Sequence, residues 1–197
     1  MRCRIRKYLE VSPAFVALLC AYFYFDPAKT FFPFLLAVTL HEAGHLLALR
    51  GMHAQVHKVS FQLTGAVIHT QPLRYPQELL AAAAGPTVNL LCTLFSLHKN
   101  PAFALVNLLL LLFNLLPLYP LDGGRIVRAL VHMLLNDTAA RIVEKLVTTV
   151  CLAAVAACAV YLTCVWHAGL WPIIVCVLLI LRAVETSLPR FGACARA

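Results

Sequence analysis

Long apolar stretches dominate this sequence and restrict the folds open to it. Hydrophobic residues make up 62% of the 197 residues and charged residues only 12%, with a mean hydropathy of +0.85. Soluble domains are about half apolar and a quarter charged. A helix needs about 20 apolar residues to cross a bilayer, and six stretches approach that length, at about 11–26, 30–50, 78–97, 101–118, 145–166 and 169–184. The expected fold is an all-α polytopic membrane protein with about six transmembrane helices.

The basic residues support this arrangement because they fall almost entirely on one side of it. With the N-terminus in the cytoplasm, all of the 16 lysines and arginines except Lys29 and Lys99 lie on the cytoplasmic side. This is the distribution that the positive-inside rule predicts, and it places both termini in the cytoplasm. The net charge of +8 is interpreted as helix-flanking charge, and a nucleic-acid partner is not expected.

Two cytoplasmic segments depart from simple loops. In residues 54–71, apolar Val59, Phe61 and Leu63 alternate with polar residues ahead of a Thr64-Gly65 turn, which favours a small membrane-associated β-hairpin over an ordinary loop. Residues 121–141 follow a proline-rich break in the fourth span and continue in an amphipathic pattern. They predict a re-entrant or broken fourth helix and then an interfacial helix.

The most informative polar residues are His41, Glu42 and His45, in the apolar stretch 30–50. Residues four apart share a helix face, so both imidazoles can reach one metal ion. Glu42 is adjacent and can act as a general base on water at that metal. An ionisable group at the centre of a span costs roughly 2.5–3.5 kcal/mol on insertion scales. Three such groups together therefore indicate a functional site.

Zinc requires a third protein ligand, with the fourth position left for water or substrate. Most acidic residues lie at span ends or in polar segments, but Asp122 follows Pro117 and Pro120 and precedes Gly123-Gly124. The prolines break the fourth span and the glycines allow a tight turn, so the chain can carry Asp122 back towards the histidines. A turn-forming aspartate at the membrane surface is the alternative. The two histidines are expected roughly 8–14 Å below the cytoplasmic surface.

Three motifs resemble the site-2 protease family of intramembrane zinc metalloproteases. They are residues 41–45 (HEAGH), 84–89 (AGPTVN) and 114–124 (NLLPLYPLDGG), whose order and approximate spacing match the family within residues 30–130. The sequence of residues 120–125 is similar to that of the branch that includes the sporulation protease of endospore-forming bacteria. Members of that branch often carry a CBS domain, and this chain is expected to lack both that domain and a PDZ insert.

The resemblance implies one Zn²⁺ per chain, held by His41, His45 and Asp122, with Glu42 as the base. It implies that Asn114 positions the substrate or stabilises the oxyanion. Residues 1–197 are expected to form a single membrane-embedded protease domain in a bacterial inner or forespore-type membrane. It would cleave a transmembrane or membrane-associated protein near the cytoplasmic face, with a sigma or anti-sigma factor as one candidate substrate. The expected partners are that substrate and the lipid bilayer, with a membrane inhibitor or activator left open.

Other interpretations of the polar residues stay open at this point. Intramembrane His, Glu and Asp also suit a membrane metal transporter or metal-binding protein. Asn89 and Asn114 are either site donors or residues that hydrogen-bond across helices. The remaining histidines lie in or near loops and are expected to be solvated: His53, His57, His69, His98, His132 and His167.

Overall fold

The computed structural model describes residues 8–24, 26, 29–62, 65–167, 169 and 171–187. Within these residues the chain forms seven helices and three short strands. The helices are α1 (Pro13–Tyr24), α2 (Phe31–Gly51), α3 (Tyr75–Ser96), α4 (Pro101–Asn114), α5 (Asp122–Leu134), α6 (Asp137–Cys164) and α7 (Trp171–Ser187). The strands are β1 (Tyr8–Val11), β2 (Val56–Gln62) and β3 (Gly65–Thr70). The expectation of a mostly helical protein is confirmed.

Each of the six predicted spans coincides with a helix, while α5 occupies the segment expected to be interfacial. Among the described residues, α2, α3 and α6 are long and apolar enough to cross a membrane, and Pro101–Asn114 and Pro172–Leu181 are shorter apolar helices. These helices also carry many exposed leucines and phenylalanines. A surface of this kind suits lipid rather than water. The number of spans and their orientation stay predictions from the sequence.

The three strands form one sheet in the order β1-β2-β3. Strands β2 and β3 pair antiparallel, with Val59 opposite Ile68, in the segment for which the sequence predicts a hairpin. Thr64 of the predicted turn lies outside the described residues. Strand β1 was not expected from the sequence. It pairs parallel with β2, and a 2.6 Å ion pair joins Lys58 of β2 to Glu10 of β1.

Small residues allow α2 and α3 to pack closely. In a membrane, helices associate through close packing and polar contacts, because lipid is as apolar as leucine. Gly44 of α2 shows how close the approach is, since a Cβ there would lie 3.0 Å from the carbonyl oxygen of Ala84. Ala81 and Ala82 of α3 are also buried. This tight pair of helices positions the histidines.

Candidate metal centre

The two motif histidines lie on one face of α2, as their spacing predicts. His41 and His45 are 4% and 6% exposed, and their Nε2 atoms are 3.1 Å apart. The Nδ1 atom of His45 lies 2.7 Å from the carbonyl oxygen of Ala81. Because a carbonyl only accepts, Nδ1 carries the proton and Nε2 presents its lone pair. A hydrogen bond at the second nitrogen fixes the tautomer and orientation of metal-binding histidines in this way.

Gly85 of α3 makes room for both imidazole rings. A Cβ at this position would lie 2.4 Å from Nε2 of His45 and 2.7 Å from Cε1 of His41. No carbon can sit that close to an atom to which it is not bonded, so any side chain here would displace the rings. Helix α3 therefore positions the histidines in two ways. The Ala81 carbonyl accepts a hydrogen bond from His45, and Gly85 leaves space for both rings.

Asp122 reaches the same point from the turn between α4 and α5. Helix α4 ends at Asn114, four residues earlier than the predicted span, and the chain reverses through hydrogen-bonded turns before α5 begins at Asp122. Gly123 lies so close to this turn that a Cβ would be 2.2 Å from the carbonyl oxygen of Leu115. Asp122 is 6% exposed and occupies the first turn of α5, where the positive end of the helix dipole favours a carboxylate.

Apolar contacts hold this turn against the outer helices. Leu118 and Leu121 of the turn form a buried cluster with Leu179 of α7. Partly buried Leu152 and Val155 of α6 pack against that cluster. The position of Asp122 thus depends on helices that lie well beyond the three motifs.

The three side chains form a donor set that fits zinc. Oδ2 of Asp122 lies 3.1 Å from Nε2 of His41 and 3.2 Å from Nε2 of His45, which closes a nearly equilateral triangle with the 3.1 Å histidine pair. Zinc binds such ligands tetrahedrally at 2.0–2.2 Å, which places neighbouring ligand atoms roughly 3.3 Å apart. The triangle matches one face of that tetrahedron and leaves a fourth position. Among the described residues, this is the group of three metal-binding side chains that the structure brings together.

The other predicted site residues occupy different surroundings. Glu42 follows His41 on α2 and is half-buried. Asn114 is half-buried at the end of α4, and its side-chain amide donates to the Leu110 carbonyl of its own helix at 3.1 Å. Asn89 is fully buried in α3, and neither its Oδ1 nor its Nδ2 has a hydrogen-bond partner in the structure. The catalytic role of Asn114 stays a prediction.

Sequence reasoning missed the residues that support the ligands. Gly85 belongs to a motif quoted from the sequence, but its contact with both histidines depends on how α2 and α3 cross. Glu78, which the sequence places at the end of a span, lies in the first turn of α3 with its side chain 19% exposed. The spacing of Glu78, Ala81 and Gly85 is the one available signal, because residues three, four and seven apart share a helix face.

The fold and the site together define a class: a helical membrane protein with a buried centre of two histidines and one aspartate. Comparison with known proteins shows what a part of the chain resembles. Residues 97–158 match the model of Peptidase family M50. A curated zinc metalloprotease of Methanocaldococcus jannaschii is 30% identical over 116 residues, covering 52% of this chain. That match spans about a third of the relative's own length, at 34%.

A solved structure has the same overall fold. The site-2 protease from Methanocaldococcus jannaschii superposes with a TM-score of 0.66 at 20% sequence identity, over 96% of this chain and 94% of that one. The family match over residues 97–158 and the shared fold agree with the resemblance that the three motifs carry, and membership of the site-2 protease family stays a prediction. The chain's place in the sporulation-protease-like branch also stays a prediction.

Proposed function

We propose that this protein is an intramembrane zinc metalloendopeptidase that hydrolyses a peptide bond of a transmembrane or membrane-associated protein near the cytoplasmic face. The observation that carries the proposal is the triangle of His41, His45 and Asp122 ligand atoms. Glu42 follows His41 on α2. The family match and the similarity to a curated zinc metalloprotease support it.

In the proposed mechanism, His41, His45 and Asp122 would hold the zinc ion. Zinc bound there would act as a Lewis acid. It would polarise a scissile carbonyl and lower the pKa of a water molecule to about 7. Glu42 takes the proton from the attacking water and delivers it to the nitrogen of the leaving amine. Asn114 is proposed to donate a hydrogen bond to the developing oxyanion. The Asn114 amide has two N–H groups, and one of them donates to the Leu110 carbonyl in this structure, so the second is the donor for that role.

The β-sheet offers a way to present the substrate. A peptide bond inside a helix is shielded, so the substrate segment has to unwind before it is cut. Among the residues that the structure describes, strand β3 pairs with β2 on one side and is the last strand of the sheet. An extended substrate segment can add to the open edge of such a strand through main-chain hydrogen bonds. We propose that β3 holds the unwound segment in this manner.

The Glu42→Gln variant tests the base assignment. Glutamine keeps the shape of the side chain but cannot take a proton, so zinc binding should persist while cleavage falls about 100-fold or more. Doubly tagged single-span membrane proteins are first co-expressed with the wild type, and those that are cut are kept as substrates. The assay then measures cleavage of these substrates by the variant. Glu144→Gln is the matched control, since Glu144 lies in α6, near His132 and outside both the proposed zinc site and the sheet.

Two results would contradict the proposal in different ways. Full cleavage by Glu42→Gln would remove the assigned base. Zinc flux into liposomes without any cleavage would instead favour the transporter interpretation. A sigma or anti-sigma factor as the physiological substrate remains a candidate to be included among the tagged proteins.

A further inference from the structure

Arg125 lies on the side of Asp122 that faces away from the histidines. The two carboxylate oxygens of Asp122 contact different groups. Oδ2 lies 3.1 Å and 3.2 Å from the two histidine Nε2 atoms, whereas Oδ1 lies 3.6 Å from Nη1 of Arg125. One oxygen is therefore directed at the metal position and the other at a guanidinium group.

Glu78 in turn lies beside Arg125. Nε of Arg125 is 3.9 Å from Oε1 of Glu78, and the two side chains are 29% and 19% exposed. Glu78 lies in the first turn of α3 and Arg125 in the first turn of α5. The guanidinium group thus has a carboxylate on each side, one from the metal site and one from a neighbouring helix.

The position of Glu78 on α3 connects this contact to the histidines. Glu78 precedes Ala81 by three residues and Gly85 by seven, a spacing that puts all three on one face of the helix. Ala81 accepts the hydrogen bond from His45, and Gly85 makes room for both rings. The face of α3 that supports the histidines therefore also reaches Asp122, through Arg125.

The chemistry of Asp122, Arg125 and Glu78 suggests that this arrangement orients the Asp122 carboxylate. A carboxylate ligand can rotate and present either oxygen, or both, to a metal ion. A guanidinium group stays charged at any pH the protein meets and has several donors in a fixed plane, so at 3.6 Å it attracts Oδ1 at every pH. Partners of this kind typically contribute 10–100-fold to metal affinity.

We infer that Arg125, held in place by Glu78, is a positioning residue that orients Asp122 so that only Oδ2 faces the metal. This inference rests on the proposed zinc site. The competing explanation is an ion pair that merely ties α3 to α5 and contributes little to stability, as partly exposed ion pairs generally do. The two explanations differ in what they predict for zinc affinity.

Zinc affinity of the full-length, detergent-solubilised protein tests the inference, measured by competition with a chelator of known affinity. Arg125→Gln should bind zinc about 10–100-fold more weakly than the wild type. Arg125→Lys should lose less, because it keeps the charge but lacks the planar fork. The matched control is Arg141→Gln, an exposed arginine of α6, and its loss should leave zinc affinity unchanged.

A double variant tests whether Glu78 acts through Arg125. Glu78→Gln alone should weaken zinc binding by less than Arg125→Gln does. The variant with both changes should bind no more weakly than Arg125→Gln, since Glu78 then has nothing to hold. Independent action would instead make the two losses multiply, and that result would overturn the arrangement.

The remaining outcomes separate this inference from the proposed function. Wild-type zinc affinity in Arg125→Gln, with only a lower melting temperature of the metal-free protein, would reduce the pair to a structural tie. Should Arg125→Gln fail to fold, Arg125→Lys and Glu78→Gln decide the question by the same measurement. A wild-type protein that binds no zinc would overturn the proposed function and this inference with it.

Discussion

The metal centre has two sides, and the structure supports them by different means. On the first side, His41 and His45 come from the middle of one long helix, and α3 supports them with the Ala81 carbonyl and the missing side chain of Gly85. On the second side, Asp122 comes from a turn, which is held by backbone contacts at Gly123 and by buried leucines against α6 and α7. Regular helix geometry forms the first side, and tertiary packing forms the second.

The difference predicts how each side responds to damage. Around Gly85 the nearest atoms belong to imidazole rings, which can rotate away at the expense of the metal site. Around Gly123 the nearest atoms are backbone atoms of Leu115 and Leu116, which cannot move without opening the turn. An added methyl group should therefore lower zinc affinity on the histidine side and folding stability on the aspartate side.

Gly123→Ala is expected to have the larger effect. The new Cβ would meet the Leu115 carbonyl oxygen at 2.2 Å, so we expect destabilisation at the upper end of the overpacking range, about 3 kcal/mol. Thermal unfolding of the metal-free protein in detergent measures this. Cleavage should also be lost, because Asp122 moves with the turn. An unchanged melting temperature would show that the turn is not as rigid as its contacts indicate.

Gly85→Ala is expected to have a smaller effect on folding and a specific effect on the metal. Displaced imidazole rings should weaken zinc binding about 10–100-fold, as other changes around metal ligands do. Chelator competition is the measurement, and Gly51→Ala is the control, because a Cβ at Gly51 would meet nothing within 4 Å. Equal zinc affinity in the two variants would mean that the crossing of α2 and α3 does not determine the ring positions.

The same division explains what the sequence could and could not predict. The histidine pair follows from a spacing of four residues within one helix. The joining of Asp122 to that pair depends on where α4 ends and how its turn packs, and a sequence pattern could indicate only that the chain can turn there. Strand β1 was missed for a related reason, since four residues next to a predicted span carry too little pattern to reveal a partner.

One expectation about the other histidines is wrong, and its cause is also tertiary. His132 was expected to be solvated, but its side chain is only 8% exposed and stacks on Tyr75 with ring centroids 4.9 Å apart. Its Nε2 lies 3.7 Å from Glu144 of α6. The amphipathic pattern of α5 indicated an interfacial helix, but not that α3 and α6 would cover this part of it. His53, His98 and His167 are exposed, as expected.

Zinc K-edge X-ray absorption on the purified, zinc-loaded protein tests the central claim most directly. The account predicts one zinc site with two imidazole nitrogens and a carboxylate oxygen at about 2.0–2.2 Å, and no sulfur ligand. The chain has 8 cysteines that could compete for the ion. A sulfur neighbour at about 2.3 Å, or a spectrum without imidazole scattering, would contradict the assignment of His41, His45 and Asp122 as the ligands.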